Sequence, residues 1–193
     1  SVTLIDAPGK SASECSVTVN DLRGAEIAIE HLAGFGHSHV AWVCGPDSIP
    51  QAADRTKGVT TSAKLNKVQI ETVRTPGMTF ESGVEAAEKI LAMNPRPTAI
   101  FCANDLMALG ALRTLLAAGV RIPEDISVIT LHNSTLTEFL SPPLTSVMLP
   151  AKEMGEVSAE KLIEMLNGKK IKHVLIEGKP ALVLRGSTKQ PKK

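Results

Sequence analysis

The sequence predicts an α/β fold: a mostly parallel sheet with helices on both faces. Three observations carry this. Short apolar, β-rich runs alternate with longer runs of helical period along the chain. The strand–helix unit recurs about every thirty residues, the length of a βα unit. Runs such as HVAWVCG, residues 39–45, are continuously apolar rather than alternating, which suits a strand buried on both faces.

The elements follow in order. SVTLIDA opens with a strand over Val2–Ile5, and SVTVND gives a second short strand. Asn20 or Asp21 then caps a helix that runs to about Leu32, with Ala25, Ala28, Ile29 and Leu32 on one face. Gly34 and Gly36 end it. A strand at Val40–Cys44 leads to a helix in SIPQAADRTKGVTTSAKL, which holds Ala52, Ala53 and Arg55. VQIETVR, 68–74, is a strand. TFESGVEAAEKILAM is a helix with Thr79 as its cap and Glu81 in the first turn. PTAIFCA is a strand, and DLMALGALRTLLAAGV a helix stopped by Gly119, a normal place for a positive φ. ISVITL is a strand. SPPLTSVMLP reads as an irregular or extended link. AKEMGEVSAEKLIEMLNG is a long amphipathic helix stopped by Gly168, and IKHVLIEG and ALVLRG close the chain as strands. Two strands fall within the first twenty residues with no helix before the first. That order predicts an earlier portion missing from this chain.

Composition narrows the function. With 43% apolar and 21% charged residues, the chain is ordinary globular material. No apolar run approaches bilayer length, so no membrane partner is expected. A net charge of +1 leaves no footprint for nucleic acid, and the short basic tail KQPKK is expected to fray. Cys15, Cys44 and Cys102 match neither a disulfide framework nor a zinc site, which points to a reduced, cytoplasmic setting. His37 and His39 lack a third ligand at metal spacing, so no metal is expected. No serine sits in a nucleophile elbow and no glycine loop has dinucleotide or phosphate spacing. No cofactor and no catalysis are therefore expected.

Candidate binding residues gather where strands end, since open α/β sheets bind ligands there. Cys44 and Cys102 hold such positions but read as small buried hydrophobes. Asn104 and Asp105 sit between a strand and a helix. Asp105 as N-cap would need only one of the two, and an adjacent Asn can read hydroxyl groups. His132-Asn133-Ser134 ends the next strand. Arg55, one helix after Cys44, has a rigid fork of donors that can reach the same crevice.

These residues stand within a wider pattern: VNDLRGAEIAIEHLAGFGHSHVAWVCG, DRTKG, TAIFCANDLMALGAL, GVRIPEDISVITL, SPPLTSVMLP, MGEVSAEKL and LVLRGST. In this order and spacing the chain resembles the effector-binding region of the lactose/galactose-repressor family of bacterial transcription regulators. The resemblance implies a periplasmic-binding-protein-like fold of two parallel-sheet lobes with a small effector between them. It places 1–17 and 149–174 in a remnant of the N-terminal lobe, 18–148 and 175–187 in the C-terminal lobe, and 188–193 in a tail. It also implies a homodimer, and operator DNA bound only through a helix-turn-helix domain absent from this chain.

By position the resemblance makes Arg55 the arginine that clamps sugar hydroxyls and Asn104-Asp105 the pair lining the cleft. His132 stands where the family usually has an aspartate, in TLHN, with Thr130 and Leu131 replacing a glycine and an aromatic residue. Met78 and Phe80 lie near a ring-bearing cleft position. The implied effector is a sugar or sugar derivative, with a less polar, phosphorylated or acidic ligand also open because imidazole both donates and accepts. Two other readings remain: a periplasmic sugar-binding transport protein of the same fold, and an open α/β-sheet enzyme.

Overall fold

The computed structural model describes residues 2–7 and 14–192. Two sheets organise them. The smaller is formed by β1 (Val2–Ile5), β2 (Glu14–Thr18) and β8 (His173–Leu175), all parallel, in the order β1-β2-β8. The larger takes β3 (His39–Cys44), β4 (Gln69–Arg74), β5 (Ala99–Cys102), β6 (Ser127–His132), β7 (Thr145–Met148) and β9 (Ala181–Val183), in the order β4-β3-β5-β6-β7-β9. Among the described residues only the β7–β9 pair is antiparallel.

The helices start and stop on local signals. Asn20 caps α1 (Asp21–Gly34), accepting the Arg23 N–H at 2.9 Å. Pro50 opens α2 (Pro50–Asn66), where a missing N–H costs nothing. Thr79 caps α3 (Phe80–Leu91) through the Ser82 N–H. α4 (Asp105–Ala117) ends before Gly119, which takes a φ of +78°. A short α5 (Leu136–Phe139) precedes β7, and α6 (Ala151–Leu166) packs on β1 and β2 of the small sheet.

Strand order fixes where a ligand site can form. From β3 the chain moves one way to β4, then reverses through β5 to β6 and β7. Right-handed crossovers therefore send α2 to one face and α3 and α4 to the other. α1 packs against α2, and α3 against α4. The second contact is backbone-close: a β-carbon at Gly83 would strike the Met107 carbonyl, and one at Gly110 the Phe80 carbonyl. The switch point lies between β3 and β5. Their apolar residues, with the Trp42 and Phe101 rings tilted against each other at 4.6 Å between centroids, form the centre of the core.

Three expectations need correction. SPPLTSVMLP is not all link, because Thr145–Met148 forms β7, a buried strand. Its polar residues disguise it: Thr145 N–H donates to Ser187 Oγ at 2.8 Å, and Ser146 Oγ to Asn133 Oδ1 at 2.7 Å. The tail KQPKK is not free at its first residue. Thr188 is buried, and the Lys189 carbonyl lies 2.9 Å from His37 Nε2. The N-cap of α4 is Asn104, not Asp105.

Candidate functional site

The carboxyl ends of β3, β5 and β6 meet at one end of the large sheet, and four of the six predicted residues converge there. Asn104 sits in extended backbone after β5. Its Oδ1 accepts the Met107 N–H at 2.8 Å, which caps α4, and its Nδ2 donates to the Met78 carbonyl at 2.9 Å. One amide thus closes the helix and pins the loop before α3. Asp105 is released from capping and reaches sideways to the end of β6. Its Oδ1 accepts from Thr130 Oγ1 at 3.2 Å and its Oδ2 from the Ser134 N–H at 2.7 Å.

Arg55 enters from α2 and is 4% exposed. Its Nε donates to Asp21 Oδ1 at 2.6 Å and its Nη1 to the Ala103 carbonyl at 3.1 Å. The guanidinium therefore ties the start of α1 to the end of β5. Burial raises the Asp21 carboxyl above its ordinary range even though the Arg55 charge pulls it down. An isolated buried charge would be far worse, so each partner is the other's condition for being there.

His132 closes the site from β6. It has a φ of +91°, and Asn133 follows at +61°, both in a region that side-chain-bearing residues rarely enter. Asn133 is held by the Ser146 hydroxyl. Among the described residues no hydrogen-bond partner meets the His132 imidazole. Burial, and then the charge of Arg55, push its pKa down to about 4. The ring is neutral at physiological pH, with one donor and one acceptor.

Met78 and Phe80 part company. Met78 is half-buried and lies over Gly45, just past the end of β3, so it borders the site. The Phe80 ring instead meets Arg113 of α4, whose guanidinium carbon is 5.7 Å from the ring centroid. Phe80 supports the site from behind, through the α3–α4 contact. The three cysteines are free and buried, and burial pushes the Cys44 and Cys102 thiols up, as packing residues require. No group of metal-ligating residues occurs among the described residues.

Two participants were not legible as such. Asp21 was in view only as an alternative cap. Its signal was the doubled Asn-Asp seam, where one residue suffices for capping. Asp6, just past β1, gave no signal. Its carboxyl is pushed up to about 6, first by burial and then by the Asp21 charge.

A buried cation, a carboxylate, an amide and a neutral imidazole thus gather at the strand ends of the large sheet. Residues 29–188 match the periplasmic binding protein-like domain family. The chain is 36% identical over 178 residues to the HTH-type transcriptional repressor PurR of Photobacterium profundum, covering 88% of this chain and 52% of that protein.

The chain belongs to the lactose/galactose-repressor (LacI/GalR) family.

Solved LacI-family structures agree. A LacI family transcriptional regulator from Mycobacterium smegmatis superposes with a TM-score of 0.89 at 31% identity, covering 97% of this chain and 70% of that one. One from Enterococcus faecium, solved with bound ribose, gives 0.86 at 27% identity, covering 95% and 68%. The LacI-family relatives are transcription regulators rather than enzymes. The chain spans about half the length of the curated relative it matches. Among the described residues no helix is long and apolar enough to cross a membrane.

Proposed function

We propose that this chain is the effector-binding part of a cytoplasmic, homodimeric transcriptional repressor that senses a sugar or sugar derivative. The observation that carries the reading is the convergence of Arg55, Asn104, Asp105 and His132 at the switch point of the large sheet, with Met78 at its border and Phe80 behind it. A regulator of the same fold that holds ribose supports the ligand class.

In this reading residues 1–17 and 149–174 belong to the N-terminal lobe, 18–148 and 175–187 to the C-terminal lobe, and the effector bridges them. Binding favours one closure geometry over another. The signal equals the difference in affinity for the two geometries, and an equal affinity for both would shift nothing. Closure changes the spacing of the first lobes in the dimer, and so the fit of paired helix-turn-helix domains of the whole protein to a two-fold operator.

The test uses the full-length protein on its operator, with ribose as first probe and other sugars in parallel. The expected result is a shift in operator affinity with sugar, abolished by Arg55→Ala and by Asp105→Ala while operator binding without sugar persists. Normal sugar response in both variants would place the effector elsewhere.

A further inference from the structure

The corner that ends β6 is strained. His132 and Asn133 are adjacent, and both have a positive φ, +91° and +61°. Asn133 sits in the left-handed well that asparagine tolerates, and His132 lies beyond it. Lys67, another residue of positive φ, merely ends α2. Two such residues in succession persist only where their surroundings hold them, and such corners gather at binding sites.

The corner is held from two sides. From α4, Asp105 Oδ2 accepts the Ser134 N–H at 2.7 Å. From the other side, Ser146 Oγ donates to Asn133 Oδ1 at 2.7 Å, and Thr137 Oγ1 to the Ser134 carbonyl at 2.7 Å. Ser146 and Thr137 are both buried. Behind them stands Arg185, whose side chain is 13% exposed. Its Nη1 donates to Ser146 Oγ at 3.1 Å, to Thr137 Oγ1 at 3.2 Å and to the Leu144 carbonyl at 2.8 Å. Its Nη2 donates outward to the exposed Glu138 carboxylate at 2.9 Å.

A guanidinium only donates, and a hydroxyl has one hydrogen. With Arg185 donating to both hydroxyl oxygens, each hydroxyl turns its own hydrogen to the corner. Arg185 thus sets the polarity of the contacts that hold Asn133 and Ser134. The corner in turn sets the ring. Among the described residues the His132 imidazole has no hydrogen-bond partner, so its direction follows from its backbone and its packing. That direction brings it close enough to Arg55 to feel the guanidinium charge.

We infer that Arg185 is a positioning residue of the effector site: through Ser146 and Thr137 it holds the His132–Asn133 corner and so presents the His132 imidazole beside Arg55. It acts through His132 and not by contact with the effector. This rests on the effector-binding reading above and adds to that site a residue from outside the strand ends.

Histidine ring resonances of the full-length protein test the first step, with His132 identified by its loss in His132→Gln. In the wild type its titration is expected near 4. Arg185→Met has a side chain of similar reach that donates nothing. There the titration is expected to move towards the ordinary 6.5, because a freed ring meets water and leaves Arg55. Calorimetry tests the second step, with ribose, cellobiose and adenosine as probes. For any probe that binds the wild type, Arg185→Met is expected to weaken binding by about tenfold, the scale of one hydrogen bond lost at a buried site. In the His132→Gln background it is expected to add no more than about threefold, since the two changes remove one interaction. A variant that only loosened the fold would give additive losses. If Arg185→Met does not fold, Ser146→Ala removes one of the two hydroxyls and carries the same expectations. An unmoved His132 titration, unchanged affinity or additive losses in the double variant overturns the inference and leaves the effector reading standing. Binding of none of the three probes by the wild type overturns both.

Discussion

The Asn-Asp pair occurs at two seams, 20–21 before α1 and 104–105 before α4. The local solution is the same at both. The Asn caps the helix through its Oδ1, taking the N–H of Arg23 or of Met107. The Asp then occupies the first helical position, where the helix dipole favours it. The tertiary outcomes differ. Asp21 is 4% exposed and faces a guanidinium. Asp105 is half-buried and accepts from a hydroxyl and a main-chain N–H. A cap that uses only the Asn frees the following carboxylate for long-range work, and the neighbourhood decides which partner it meets.

Removing the carboxylates should separate the seams most. Asp21→Ala strands Arg55 without its counter-charge, and about 3–5 kcal/mol of stability should be lost. Asp105→Ala should cost less, about 1–3 kcal/mol, because its neighbours are neutral and water reaches the site. Denaturant melts decide this, and equal losses would erase the contrast. A double replacement, Asp21→Leu with Arg55→Met, should recover most of the stability lost by Asp21→Ala and none of the sugar response.

The caps should come next. Asn20→Ala and Asn104→Ala should each cost about 1 kcal/mol. Asn104→Ala should be the costlier, since it also frees the Met78 carbonyl. Equal melting temperatures for the two would show that the Met78 bond adds nothing.

The smallest effect is a pH slope. The Asp6 carboxyl, pushed up to about 6, contributes stability that is complete below the ordinary carboxyl pKa and is lost as pH rises through about 6. His132, pushed down to about 4, contributes stability present above the ordinary imidazole pKa and lost as pH falls through about 4. Half-buried His31 and buried His37 are lowered as well and act in the same direction as His132. Between these values Asp6 and His132 oppose one another. Asp6→Asn should make acid destabilisation steeper from about pH 6 to 4, and His132→Gln should make it shallower. Melting temperatures across that range give both slopes, and like signs would mean that one of the two is wrongly placed.

Most elements were legible because their signals are local. Continuous apolar runs marked β3, β5 and β6, and Asn, Thr and Gly marked helix ends. β7 was missed because buried Thr145 and Ser146 follow two prolines and look like a loop. Only their hydroxyls' partners, Thr188, Asn133 and Arg185, make them core residues. Asn104, Asp105 and His132 were legible as strand-end residues, and Arg55 through the family pattern. That Phe80 turns its ring to Arg113 was not, since its position beside Met78 says nothing of which way the ring faces.

The sequence by itself determined the alternation of strands and helices, the seams where they meet and the family to which the chain belongs. These follow from hydrophobic period, capping chemistry and motif order, all read within a few residues. Tertiary structure alone decided which carboxylate meets which cation. Asp21 and Arg55 stand on different helices, and Asp6 reaches them from another sheet. Their charges and pKa values are set by burial and by neighbours in space, and neither is written in sequence spacing.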